Sequence, residues 1–200
     1  MNNIPSVLRT VLLPCLTLLC LVISTPVWSL GGDFSLEDGS GHPYSLADSR
    51  GRVVIMAFGY TFCPDVCPTG LATIAAALRQ LGDDADDVDP LFISLDPERD
   101  TPEVLREYAQ FFHPRMRGLT GTAEQLRRVA ALYRVRYAFV GKGSGPRYTM
   151  DHSANLYVVD ASGALVRILP HGLPADAVAD ALREAISRGS SRVRTTTAPR

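Results

Sequence analysis

The stretch RVVIMAFGYTFCPDVCPTGLATIAAALRQL, residues 52–81, decides the fold. Its first nine residues, 52–60, form an apolar run of strand length that is β-branched at Val53, Val54 and Ile55. A run without polar alternation predicts a strand covered on both faces, at the centre of a layered sheet. Residues 68–81 then place Leu71, Ile74, Ala75, Leu78 and Leu81 at steps of three and four, which predicts a helix with one buried stripe. Strand followed directly by helix is the repeating unit of an α/β fold. The joining turn holds Cys63 and Cys67.

The same pattern continues outward. Residues 90–95 (PLFISL) predict the next strand, and Thr101-Pro102 opens a helix, with threonine as N-cap and proline at the first helical position. That helix stops near His113-Pro114. Thr122 and Gln125 have the spacing of a capping box for a further helix over 122–135. Residues 154–159 predict a strand, 160–163 (DASG) a tight turn, and 165–169 its hairpin partner. A closing helix covers 174–188. Residues 34–46 (FSLEDGSGHPYSL) read as an N-terminal hairpin around a glycine-rich turn. The last residues, 189–200, carry no apolar face and predict a disordered tail. The expected architecture is α/β, a mixed central sheet flanked by helices, in one domain over 30–188.

Composition narrows the function. Hydrophobic residues make up 46% of the 200 residues and charged ones 20%, enough apolar surface to exclude a disordered chain. Twenty basic side chains against 21 acidic ones leave a net charge of −1, so the electrostatic term a nucleic-acid binder needs is missing. At the start, Arg9 precedes the apolar run 11–23 (VLLPCLTLLCLVI), and 24–29 (STPVWS) follows with small residues at Val27 and Ser29. This order is that of a signal peptide. The uncharged stretch 11–32 is also long enough to serve as a membrane anchor. Residues 1–29 are therefore expected to place the rest outside the cytoplasm, as a signal peptide or as an N-terminal anchor. Leu19 argues against lipidation at Cys20.

Outside the leader only Cys63 and Cys67 remain. A structural disulfide gains most when it closes a long loop, and these two enclose three residues, so the pair points to chemistry. If the turn is helical, residues four apart share a face, within reach of a disulfide or a common metal ion. The following helix start favours thiolate over thiol, and Pro64 and Pro68 stiffen the loop. Asp151-His152-Ser153 precedes the strand over 154–159. If that strand lies antiparallel beside the strand over 52–60, His152 faces the two cysteines. Two thiolates and an imidazole suit Cu(I), and hold Cu(II) if another ligand joins, whereas zinc wants a fourth ligand. Asp65 is either a tuning charge or a solvated acid. Asp96, Glu98 and Asp100 read as acids opening a helix, and the acids of 83–89 as a solvated loop. His42, His113 and His171 lack ligand spacing, and Met150 reads as core.

These residues together resemble the Sco/SenC proteins. The likeness runs over FGYTFCPDVCP (58–68), ISLDPERDTPE (93–103), LTGT (119–122) and DHSANLYVVD (151–160), and covers about 34–186. Thr149-Met150 departs from the larger hydrophobic pair usual there. The resemblance implies a thioredoxin-like fold with an added N-terminal β-hairpin, and copper ligated by Cys63, Cys67 and His152. It implies a metallochaperone that helps assemble the binuclear copper site of cytochrome c oxidase subunit II, on the periplasmic side of the inner membrane, with a copper donor and a thiol reductant as further partners. The alternative is a periplasmic thiol–disulfide oxidoreductase using Cys63 and Cys67 as its redox pair. A general thioredoxin differs in having two residues between its cysteines and a cis-proline facing them. A thiol peroxidase would carry Pro and Thr where this chain has Met56 and Tyr60.

Overall fold

The structure, a computed structural model, describes residues 30–143 and 148–196, with side chains through residue 189. The leader expected at 1–29 and residues 197–200 lie outside the described residues. In chain order the elements are β1 (Ser35–Asp38), β2 (Pro43–Ser45), β3 (Val53–Gly59), α1 (Val66–Leu81), β4 (Val88–Ser94), α2 (Pro102–Phe112) and β5 (Arg117–Thr120). Then come α3 (Ala123–Leu132), β6 (Tyr137–Val140), β7 (Thr149–His152), β8 (Leu156–Val159), β9 (Leu165–Leu169) and α4 (Ala175–Thr196).

Seven strands form one sheet in the order β2-β1-β5-β4-β3-β8-β9, while β6 and β7 pair only with each other. β3, β4 and β5 are parallel neighbours. Parallel strands need crossovers, which α1 and α2 supply. β8 lies antiparallel to β3, with Ala57 opposite Leu156 and Val54 opposite Val159, as expected. The expected N-terminal hairpin is present as β1–β2 and extends the sheet by pairing with β5.

Every residue of β3 is buried because both faces are covered. Alternate side chains enter opposite cores, as the twofold period of a strand requires. Val53, Ile55 and Ala57 pack under α1, α2 and α4 with Leu71, Ile74, Leu105 and Leu182. Val54, Met56 and Phe58 pack on the other face with Leu126, Val129, Tyr133 and Met150. There Tyr133 packs edge-on to Phe34 and Tyr157, with ring centroids 6.1 and 5.8 Å away, and tilts against Phe58 at 5.9 Å.

The caps read from sequence are formed. Thr101 accepts from Val104 N with Pro102 at the helix start, and Thr122 and Gln125 make a reciprocal box at 3.2 and 2.9 Å. Three short strands, β5, β6 and β7, were not foreseen; β5 and β7 each offer a single large apolar side chain, Leu119 and Met150, and so show neither an apolar run nor an alternation. The closing helix continues to Thr196 rather than stopping at 188, so the segment expected to be a disordered tail begins as helix. Gly189 costs only about 1 kcal/mol in a helix, too little to end it. Nor is the whole acidic stretch solvated. Asp83, Asp84, Asp86 and Asp87 are exposed, but Asp89 is buried as the second residue of β4.

Asp89 docks the N-terminal segment to the sheet. Tyr44 OH lies 2.8 Å from Ser49 Oγ, Ser49 Oγ donates to Asp89 at 2.6 Å, and Arg52 Nη2 donates to the same carboxylate at 2.6 Å. Burial pushes the Asp89 pKa up, but the bonds from Arg52 and Ser49 outweigh it and hold the carboxyl below its ordinary value. A depressed folded pKa contributes stability above the unfolded value, about 4, and that contribution is lost as pH falls through the folded value. Asp89→Asn is expected to cost about 1–3 kcal/mol at neutral pH. The gap to wild type should narrow as thermal unfolding is repeated down through the carboxylate range, and a pH-independent cost would contradict the assignment.

A close approach of α1 to β3 gives a second expectation. A Cβ placed on Gly59 would stand 2.3 Å from Cys67 Sγ and 3.2 Å from the Phe92 ring. Overpacking of this kind costs about 1–3 kcal/mol. Gly59→Ala should therefore lower the denaturation midpoint by that order, and an unchanged midpoint would show that the sulfur moves aside freely.

Candidate metal centre

The site forms where β3 runs out. After Gly59 the chain turns, with Cys63 N donating to Tyr60 O at 3.2 Å. Thr61 fastens this turn to the β4–α2 connection, its amide donating to Asp100 at 3.0 Å and its hydroxyl at 2.5 Å. Ser94 Oγ donates to the same carboxylate at 2.6 Å. Asp65, exposed, takes the N-cap position of α1 without a side-chain cap bond. The turn is not helical up to that point, and Cys67 already belongs to α1, two residues earlier than the helix start read from sequence.

His152 arrives from the other direction. It is the last residue of β7, opposite Tyr137 of β6, rather than part of a loop before β8. Its Nε2 lies 3.1 Å from Cys67 Sγ and its Nδ1 lies 3.0 Å from Ser153 O. A carbonyl only accepts, so the neutral ring carries its proton on Nδ1 and presents the Nε2 lone pair to the sulfur. The Tyr60 ring stands edge-on to the imidazole at 5.9 Å. The ligand atoms of Cys63, Cys67 and His152 all lie within 4.8 Å of one another. The structure thus brings together the three residues singled out from sequence.

Both cysteines are free thiols, 9% and 6% exposed. Burial pushes the Cys67 thiol far up, with the neighbouring Cys63 adding to the shift and a backbone hydrogen bond at Tyr60 opposing it. The expectation that the helix start would favour thiolate is therefore reversed at Cys67. The dipole effect amounts to about 2 kcal/mol at most, and desolvation of a buried anion exceeds it. Burial also lowers the His152 pKa. At neutral pH the site holds a Cys67 thiol against a neutral imidazole, and a soft cation entering it must displace a proton.

The remaining candidates separate from this centre. Met150 is buried in the core, as expected, and so is Met116. His42 is exposed beside Asp38, and His113 ends α2. His171 is exposed but close enough to His152 to oppose its charging. Asp96, Glu98 and Asp100 neither begin α2 nor gather as metal ligands. Asp96 and Asp100 are buried and fully engaged, Asp96 by Arg99 at 2.5 Å and Tyr148 at 2.8 Å, while Glu98 pairs with Lys142 at 2.7 Å. Sequence reasoning passed over Tyr60, Arg99 and Tyr148. The first two stand inside segments already quoted, whereas Tyr148 has no local pattern to mark it. A cleft of 650 Å³ lined by Leu30, Phe34, Leu132 and Arg134 includes none of the three ligand-type residues.

Comparison with known proteins follows this geometry. The chain is 40% identical over 139 residues to an SCO2-like protein of Rickettsia felis, covering 69% of this chain and 68% of that one. It is 41% identical over 154 residues to the mitochondrial SCO2 homolog of Bos taurus, covering 76% of this chain and 58% of the longer bovine protein. Among solved structures, copper-bound ScoI of Arabidopsis thaliana superposes with a TM-score of 0.73 at 35% identity, covering 80% of this chain and 99% of that one. Copper-bound ScoI of Bradyrhizobium japonicum gives 0.72 at 38% identity, with 78% and 99% covered. The fold is accordingly the thioredoxin-like fold of these proteins. The family model described as SCO1/SenC matches residues 24–187, and the chain belongs to the SCO1/SenC family.

Proposed function

We propose that this protein is a copper-binding metallochaperone, with Cys63, Cys67 and His152 as its ligands. The observation that carries this reading is the convergence of two buried thiols and one imidazole within 4.8 Å. It is a soft donor set of low coordination number, suited to Cu(I), and able to hold Cu(II) with a further ligand. The Nδ1–H bond to Ser153 O supports it, because it turns the Nε2 lone pair toward the sulfurs. Copper-bound relatives at 35–38% identity support the choice of metal.

As cargo, copper leaves by ligand exchange. Each incoming thiolate of a receiving protein forms one bond to copper as one bond to Cys63, Cys67 or His152 breaks; the released cysteine thiolates take up protons, and His152 leaves as the neutral imidazole. The receiver we favour is subunit II of cytochrome c oxidase, whose binuclear site the protein would help assemble. A more distant structural relative, 22% identical, is described as a member of the Sco family of cytochrome c oxidase assembly proteins. The leader over 1–29 would place this exchange on the periplasmic side of the inner membrane, where a copper donor and a thiol reductant complete the cycle. No helix among the described residues is long and apolar enough to cross a membrane.

The second reading, a thiol–disulfide oxidoreductase, draws on the same pair of free thiols. One thiolate attacks a substrate disulfide and the other displaces the mixed disulfide. The substrate gains two electrons and leaves as two thiols, while Cys63 and Cys67 close a disulfide. His152 separates the two readings. In an anaerobic Cu(I) titration of the reduced protein against a competing chelator, wild type should bind one equivalent. His152→Ala should bind more than about 100-fold less tightly, beyond the loss typical of groups that only support a ligand. Binding indifferent to His152, alongside undiminished disulfide reduction, would move the assignment to the oxidoreductase.

A further inference from the structure

β7 carries His152, yet the β6–β7 pair belongs to no other sheet. The position of the imidazole therefore depends on side chains that hold this hairpin to the rest of the fold. One of those contacts comes from an arginine of the β4–α2 connection. Arg99 Nε donates to Asp96 at 2.5 Å, and its Nη1 donates to Tyr148 O at 2.9 Å, one residue before β7 begins. Its guanidinium stacks over the Tyr148 ring at 3.6 Å and faces Phe62 at 4.8 Å and Tyr60 at 5.5 Å. Tyr148 closes the circuit, its hydroxyl donating to both Asp96 oxygens at 2.8 and 3.0 Å. Nη2 is buried with no hydrogen-bond partner among the described residues, while three aromatic rings face the guanidinium and attract its charge.

The same connection also reaches the other strand, through Glu98 and Lys142, and Lys142 lies 4.0 Å over the Phe139 ring of β6. Beyond this, Tyr60 OH accepts from Met150 N at 3.3 Å, so the tyrosine beside the guanidinium also touches β7 two residues before His152. Asp96 is fully buried, and its charge is tolerated there only because Arg99 and Tyr148 satisfy it.

We propose that Arg99 is a positioning residue of the metal centre, which clamps Tyr148 against Asp96 and thereby fixes the β6–β7 hairpin so that His152 Nε2 meets Cys67 Sγ. This deepens the copper-binding reading and rests on it. The DPERD segment, residues 96–100, is then the latch of the histidine-bearing hairpin. Lysine is a poor substitute at this position, since it supplies the charge but neither the planar fork nor the stacking face.

Two variants test the clamp. Asp96→Asn combined with Arg99→Met removes both buried charges together, and Tyr148→Leu leaves the ion pair and the bond to the residue-148 carbonyl but removes the stacking face and the hydroxyl bonds to Asp96. Each is expected to weaken Cu(I) binding about 10–100-fold, the range for groups that support a ligand. Added to His152→Ala, neither should cost anything further, because the effect passes through that ring. Oxidation of Cys63 and Cys67 to their disulfide by oxidised glutathione should keep the wild-type rate. In the copper-free variants, proton NMR should lose the contact between the His152 and Tyr60 rings. Losses additive with His152→Ala, or a retained ring contact, would overturn the clamp. If instead wild type fails to bind Cu(I), or His152→Ala binds as wild type does, the copper reading fails, and the copper-free ring contact still decides whether Arg99 places His152.

Discussion

The double-sided burial of β3 is the constraint on which the rest depends. Its seven residues are all buried, with one set of side chains under three helices and the alternate set under α3 and the aromatic cluster. A strand so enclosed must satisfy its backbone on both edges, and β4 and β8 do this in opposite directions. That arrangement creates the site. The chain leaves β3 toward Cys63 at the same end of the sheet where β8 begins, a few residues after His152. Two segments 85 positions apart are thereby brought to one point.

Within the site, desolvation decides the chemistry at Cys67. A thiol at a helix start is often read as acidic, yet here burial overrides the helix and the resting group stays protonated. The same burial keeps His152 neutral. A buried pair of thiol and imidazole is quiet toward water but has soft lone pairs available to a cation that releases the proton. This matches a protein that must hold a reactive metal securely and release it only when another set of thiolates competes.

The three candidate ligands differ in how they are held. Cys67 sits in α1, packed on the sheet, and Thr61 ties the turn before Cys63 to the buried Asp100. His152 belongs to a two-stranded pair outside the main sheet, kept in place by aromatic rings, the Glu98–Lys142 ion pair and the Asp96 network. The cysteine half of the site thus rests on the packed helix and the Asp100 network, and the histidine half on side chains that hold a pair outside the main sheet. In such a division the geometry of one ligand can be tuned without altering the central sheet.

Local chemistry was legible without the tertiary structure. The unbroken apolar run of β3, the stripe of α1, the Thr101 cap and the Thr122–Gln125 box each depend on neighbours within a few residues, so their sequence patterns were sufficient. The three ligand candidates were legible too, Cys63 and Cys67 by spacing and His152 once an antiparallel β3–β8 pairing was assumed. The sequence by itself therefore determined the βα framework and the three candidate donors. Only the tertiary structure decided that Cys67 lies inside the helix and keeps its proton, because burial depends on what packs over it. Only the tertiary structure placed His152 on β7, since Thr149–His152 holds one apolar residue and shows no strand pattern, and joined Arg99 to Tyr148 across 49 positions. Contacts of that separation are set by how the layers stack, and no local pattern records them.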